Sequence, residues 1–309
     1  MPRASQTRAY VALLLIVGLW GSFPATGKLA LVDFPPTFLT LVRVVLASVF
    51  LCVMLFRAGE REMREITPTA LRVFLVLAVT GIWGSTQLSY LGYYYTTAAN
   101  AVVLQAATPV MVALGARAFL GERLRRVQQA GVLVSTLGVL LVVTEGRLAA
   151  LRLQELRAGD FITLAGLVGW TAYTVYGKRV LTSYSPLLAT TGAYVLATVL
   201  LIPTAVLAAP LFPAPRITSA VAWTVVVYQA VLGAVAHIWW YRAMDVVGPS
   251  RAAIFMNLQP LVGLALAAVL LGEEIGGWQI AGVGCVLAGV ALTTRAAGPA
   301  SPVRSRAVD

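Results

Sequence analysis

Residues 120–132 read LGERLRRVQQAGV, and residues 271–283 read LGEEIGGWQIAGV. These lines lie at the centre of a longer match. Between 109–141 and 260–292, at a constant offset of 151, twelve of thirty-three positions are identical, among them Pro109 with Pro260, Gln128 with Gln279 and Gly131 with Gly282. Apolar composition alone gives about three or four identities over such a window, so the chain reads as an internal duplication. A second pair of lines sits nearer the start of each half: VGLWGSFPATGK (17–28) and VGWTAYTVYGK (168–178) align Trp20 with Trp170, Gly27 with Gly177 and Lys28 with Lys178.

What surrounds these lines is apolar. Of 309 residues, 59% are hydrophobic and only 11% charged, too little charge to cover a soluble core of this size, so the chain reads as a membrane protein. Runs of about 20 apolar residues match a ~30 Å hydrocarbon layer at about 1.5 Å per helical residue. Ten are present, near 9–31, 36–56, 71–95, 98–119, 126–145, 160–182, 186–209, 219–243, 250–271 and 278–295. The expected fold is an all-α integral membrane protein of ten transmembrane helices in two five-helix repeats, 1–150 and 151–295. The polar stretch 296–309 reads as a disordered cytoplasmic tail. Arg3 and Arg8 ahead of the first run could mark a cleavable signal peptide, but the run recurs inside the chain, where cleavage has no purpose.

Because five is odd, the second repeat starts on the opposite side of the membrane from the first, and the halves are inverted. Charge agrees. Alternate connections, beginning with the N-terminus, hold 17 basic residues against five in the other set, which puts both termini in the cytoplasm. The net charge of +11 is therefore a topology signal and implies no nucleic-acid partner. Inverted repeats place a central site between similar units whose rocking opens it to either side. Cys52 and Cys285 lie within apolar runs and read as packing residues; no metal, disulfide or cofactor spacing is present, and no phosphate-binding loop or soluble domain implies an ATPase subunit.

Trp20, Gly21, Phe23 and Lys28 in the first run, Arg43 in the second, Thr108-Pro109 in the fourth, the Leu-Gly-Glu after it and the Gly-rich fifth resemble the EamA type of the drug/metabolite transporter superfamily. The crowding of Trp and Tyr resembles its bacterial inner-membrane exporters of aromatic amino acids and similar metabolites. The resemblance implies a transporter and no enzyme, with a small-molecule substrate and the lipid bilayer as partners. The second half departs from the pattern, with Ala193 where Arg43 would repeat and Gln259-Pro260 in place of Thr-Pro.

Helical spacing selects cavity candidates. Trp83, Gln87, Tyr90 and Tyr94 share one face of the third run; His237, Trp240 and Tyr241 share one in the eighth with Gly233; Trp20 and Phe23 with Gly27 are repeated by Trp170 and Tyr173 with Gly177. Asn100, Gln105 and Asn257 supply amides near Pro109 and Pro260, which read as hinges or plain kinks. Core packing competes with cavity lining for every ring, and an interfacial belt for Tyr93, Tyr94, Tyr95, Trp223 and Trp278. His237 reads either as a proton-coupling group or as a neutral structural histidine. Arg43 reads as structural, bonding carbonyls or snorkelling to the interface, with attraction of a substrate carboxylate as the alternative. No carboxylate lies mid-span, which disfavours proton-driven cation antiport, and one arginine is no cluster for a phosphorylated substrate. A neutral or zwitterionic molecule with an apolar body fits these residues best. The expected function is export of aromatic amino acids or related metabolites by alternating access; other metabolites or drugs, or a channel of the same architecture, are the alternatives.

Overall fold

The computed structural model describes residues 3–59, 65–95, 104–144, 146, 158–262, 265 and 276–295. The expected tail 296–309, Asn100, the linker around 148–157 and the second Leu-Gly-Glu lie outside them. The helices are α1 (Arg3–Leu31), α2 (Pro36–Ala58), α3 (Pro68–Tyr95), α4 (Thr108–Leu120), α5 (Arg126–Thr144), α6 (Ala158–Val180), α7 (Pro186–Ala208), α8 (Ala220–Val247), α9 (Pro249–Ile254, running into a 3-10 turn Phe255–Leu258) and α10 (Gly277–Arg295). No strand occurs among the described residues. Among the described residues, six helices (α1, α2, α3, α7, α8 and α10) are long and apolar enough to cross a membrane, and α4 and α5 contribute shorter apolar helices.

Proline sets several helix starts: Pro36, Pro68, Pro186 and Pro249 occupy the first turn, where a missing N–H costs no bond. Thr67 and Ser185 cap two of these, their hydroxyls accepting from Ala70 N and Leu188 N at 3.1 Å each. The Leu-Gly-Glu motif closes one helix and opens another. Gly121, at φ +69°, is the left-handed residue that ends α4. The Glu122 carboxylate then accepts from the Ser250 hydroxyl at 2.9 Å, placing its negative charge at the N-terminus of α9.

The chain forms two compact units, each drawing on both sequence halves: Met1–Gly21 with Val102–Glu155 and Arg242–Asp309, and Ser22–Ala101 with Leu156–Tyr241. In the first, α5 and α10 approach backbone to backbone. A Cβ on Gly131 would lie 2.7 Å from the Gly289 carbonyl oxygen, and one on Gly138 would lie 2.7 Å from that of Gly282. The duplication aligns Gly131 with Gly282 and Gly138 with Gly289, so each contact is the two-fold image of the other. Small residues are what such close packing needs, since lipid supplies no hydrophobic force between helices. In the second unit α2 meets α7 at Ser48 and Thr198, hydroxyls 2.9 Å apart on residues 150 positions apart.

Within α3, residues Ala78–Thr86 wind as a π-helix. A Cβ on Gly169 of α6 would lie 2.6 Å from the Thr80 carbonyl oxygen, so the two backbones touch there. The expected single face of α3 assumed 3.6 residues per turn, and the wider turn shifts its register. Trp83 Nε1 donates to Thr204 of α7 at 2.9 Å, and Tyr94 is 42% exposed against Tyr95 and Phe212.

Candidate functional site

The second unit has a buried polar centre built on Arg43 of α2. This side chain is 3% exposed. Its Nη1 donates to the Tyr90 hydroxyl at 3.2 Å, and its Cζ lies 5.4 Å from the centroid of the Tyr90 ring and 5.6 Å from that of Phe23. The Tyr194 hydroxyl of α7 is a second phenol acting on the guanidinium, and no Asp or Glu among the described residues is. Arg43 Nε has no hydrogen-bond partner among the described residues. The sequence expectation of a carbonyl-bonded or snorkelling arginine is corrected here. Phe34, fully buried and edge-on to Phe38 and Trp223, is part of an apolar cluster that also holds Tyr90, Leu39 and Val226. The side chain turns into the protein, toward phenols.

Bonds extend outward from Arg43 on both sides. The Tyr90 hydroxyl donates to Gln229 Oε1, and Gln229 Nε2 donates to the Phe23 carbonyl at 3.2 Å and the Thr26 hydroxyl at 2.8 Å. On the other side, the Tyr194 hydroxyl is 3.1 Å from His237 Nδ1, which is itself 2.8 Å from the Gly233 carbonyl oxygen. A carbonyl only accepts, so Nδ1 carries a proton. Hydrogen bonds from Arg43 through Tyr90 thus join α2, α3, α8 and α1, and the Tyr194–His237 contact beside them joins α7 to α8.

Against His237 stands a nest of rings. Trp170 lies 5.8 Å from it edge-on, 5.4 Å from Tyr173 and 5.5 Å from Trp240; Tyr173 stacks on Tyr241 at 5.0 Å and 20°. The repeated glycines explain why rings fit here. A Cβ on Gly27 would come within 3.1 Å of the Tyr90 ring, and one on Gly177 within 2.6 Å of the Tyr241 hydroxyl. Tyr241 stands 151 residues after Tyr90 and Gly177 stands 150 after Gly27, so each half builds a glycine socket for a tyrosine.

Of the residues singled out from sequence, Phe23, Tyr90, Trp170, Tyr173, His237, Trp240 and Tyr241 gather in this cluster. Trp83 and Gln87 belong to the same unit; Trp83 is tied to Thr204, and Gln87 is buried with Oε1 lacking a partner. Trp20, Gln105 and Asn257 belong to the first unit, where Asn257 Nδ2 donates to Ser135 Oγ at 2.8 Å. Pro109 and Pro260 follow breaks: a turn at 106–107 precedes α4, and the 3-10 turn Phe255–Leu258 precedes Pro260. The Ala106 carbonyl at the first break accepts from the Thr136 hydroxyl at 3.4 Å. Two residues here, Gln229 and Tyr194, are not among those the sequence selects, whereas Arg43 is, with a structural role favoured over attraction of a carboxylate. A lone amide inside the apolar VVVYQAVLG (225–233) was the available signal for Gln229.

The EamA-like transporter family matches this chain twice, over residues 7–144 and 157–295. The chain belongs to the EamA-like transporter family. This EamA protein is accordingly a multi-pass membrane transporter of small molecules, not an enzyme, and the two matches are its two repeats. It is similar to the uncharacterized transporter YyaM of Bacillus subtilis (strain 168), 28% identical with 79% of each chain covered. A probable amino-acid metabolite efflux pump of Salmonella typhimurium is 29% identical, over 93% of this chain and 94% of that one. A solved crystal structure superposes with a TM-score of 0.75 at 18% identity, covering 96% of this chain and 98% of the other, a likeness of fold.

Proposed function

We propose that this EamA transporter is a secondary carrier exporting aromatic amino acids or related small apolar metabolites across the inner membrane by alternating access. On this reading ten spans form two inverted repeats, 1–150 and 151–295, with both termini cytoplasmic. The observation that carries the substrate reading is the ring nest of Trp170, Tyr173, Trp240 and Tyr241 packed beside a polar network. Rings offer stacking surface to a flat apolar body, and the hydroxyls, amide and guanidinium next to them hold its polar end. The Salmonella relative's description as an amino-acid metabolite efflux pump points the same way. The bias of basic residues toward alternate connections supports the topology.

The test is flux of radiolabelled phenylalanine or tryptophan in liposomes bearing the purified protein, with and without an imposed pH gradient. Saturable flux with counterflow supports the carrier. Flux that rises linearly with substrate and shows no counterflow assigns a channel, and no flux of either compound overturns the aromatic reading. Accumulation only with the gradient makes the carrier proton-coupled.

A further inference from the structure

We propose that Arg43 is the carboxylate-binding group of the transport site, and that the site takes aryl carboxylates of net charge −1 in preference to zwitterionic amino acids. The inference rests on the transport reading above and narrows its substrate class.

A guanidinium keeps its charge in any protein environment, and taking it out of water is unfavourable by several kcal/mol unless an anion and hydrogen bonds compensate. Among the described residues Arg43 has one hydrogen-bonded phenol, a second phenol acting on it and two ring faces but no acidic neighbour, and its Nε is unpartnered. Phenols and ring faces compensate in part; they do not neutralise. An arginine retained only to tie helices together would be expected to spend its donors on carbonyls or a carboxylate. The planar fork of Arg is also the group that matches a carboxylate with two parallel bonds.

A Cβ on Gly233 would lie 3.4 Å from Phe23 and 3.5 Å from Arg43 Nη2, ordinary contact distances, so α8 leaves the width of a methyl group beside the guanidinium at this point. The same surroundings are poor for an ammonium. The Gln229 carbonyl oxygen is engaged by Tyr90 and the Gly233 carbonyl by His237 Nδ1, which leaves only neutral acceptors such as the Tyr173 and Tyr241 hydroxyls for an amino group. No acid stands by to balance an ammonium against Arg43. A ligand with an apolar ring and one negative charge supplies what the cluster lacks and brings nothing that it repels.

The test uses one molecular body with three charges: 3-phenylpropionate, phenylalanine and 2-phenylethylamine, titrated into the wild-type full-length protein and used as competitors of flux. Expected is affinity for 3-phenylpropionate at least tenfold above that for phenylalanine, with 2-phenylethylamine weakest. Arg43→Gln should lose 3-phenylpropionate binding by about 10- to 100-fold, the loss typical of a charge-assisted hydrogen-bonded pair, and Arg43→Lys should recover part of it. If Arg43→Gln does not fold, the wild-type charge series alone decides. Saturable phenylalanine flux that 3-phenylpropionate does not inhibit overturns this inference and leaves the carrier standing. If neither compound binds or moves, the aromatic transport reading falls and this one with it. A folded Arg43→Gln protein with undiminished carboxylate affinity also overturns it.

Discussion

Replacing Gly177 by Ala tests whether the glycine sockets shape the aromatic nest. The added methyl carbon would lie 2.7 Å from Tyr241 Cε1 and 2.8 Å from Cζ, about 0.7 Å and 0.6 Å short of a 3.4 Å contact. The ring has little room to retreat, because Tyr241 is fully buried and stacks on an equally buried Tyr173 at 5.0 Å. Tyr173 in turn lies against Gly81 and Trp170. Overpacking a site of this kind costs about 1–3 kcal/mol. At about 2–4 °C per kcal/mol for a chain of this order, the melting midpoint should fall by roughly 2–12 °C. Gly27→Ala, the symmetry-related change, meets Tyr90 at 3.1 Å and asks the ring to move by only a few tenths of an ångström, so its melting midpoint should fall less. Tyr90 carries the bonds to Arg43 and Gln229, however, so transport should suffer more than stability does. The assay is thermal unfolding of detergent-solubilised protein beside liposome flux, with Gly177→Ala/Tyr241→Leu as the relief variant. If Gly177→Ala and Gly27→Ala destabilise equally, or if Tyr241→Leu brings no relief, the socket argument is wrong.

Gly138→Ala should separate α5 from α10 and lower the melting temperature by an amount corresponding to about 1–3 kcal/mol, because the new methyl meets main-chain atoms that cannot step aside. Gly284→Ala on α10, with nothing within 4 Å of the added carbon, is the neutral control, and equal losses in the two would refute the reasoning. At the end of α1, Asp33 accepts from Ser219 and pairs with Arg216 at 2.6 Å, and these partners hold its carboxyl below the ordinary carboxylate value. Its contribution is therefore full above that ordinary value of about 4 and disappears as pH falls through the lowered folded value, so the melting difference between wild type and Asp33→Asn should close in acid; a difference independent of pH would count against it. His237→Gln should retain downhill flux while abolishing any dependence of flux on pH if the imidazole carries protons; loss of folding would instead mark it as structural.

The duplication could be read from sequence because it left identities behind, and helix starts could be read because Pro36, Pro68, Pro186 and Pro249 mark them chemically. Trp170, Tyr173, His237, Trp240 and Tyr241 could be chosen together because three- and four-residue steps on one helix survive folding. What failed to show depends on neighbours distant in the chain. The depth of Arg43 was counted from the start of its span, but its burial depends on where the side chain turns and on which phenols of α3 and α7 receive it. The π turn in α3 could not be seen by counting at 3.6, and Trp83, which lies within it, is tied to Thr204. Contact between helices also groups the chain differently from sequence: α5 packs on α10 and α2 on α7, each with its own repeat partner, so a compact unit contains parts of both halves.

Two equal sockets with unequal contents are the result. Tyr90 and Tyr241 stand on glycines that the duplication made equivalent, yet the first ring has a guanidinium and an amide at its hydroxyl and the second has another ring against its face. The difference traces to Arg43, whose counterpart is Ala193, and to Gln229, whose counterpart under the 151-residue offset is Ala78. Two like halves would by themselves give two inward- and outward-open states of similar energy. On the alternating-access proposal, a buried charge in only one half makes those states unequal by its differential solvation, and a ligand shifts such a balance only through its own differential contacts. On the proposal above, an anion bound to Arg43 neutralises the charge that distinguishes the halves, so the loaded carrier should exchange between its two states more freely than the empty one. Trans-stimulation measures this directly: efflux of labelled 3-phenylpropionate should accelerate when unlabelled compound is present on the far side, and Arg43→Gln should remove the acceleration. Equal rates in both conditions for the wild type would mean that the charge does not set the return step.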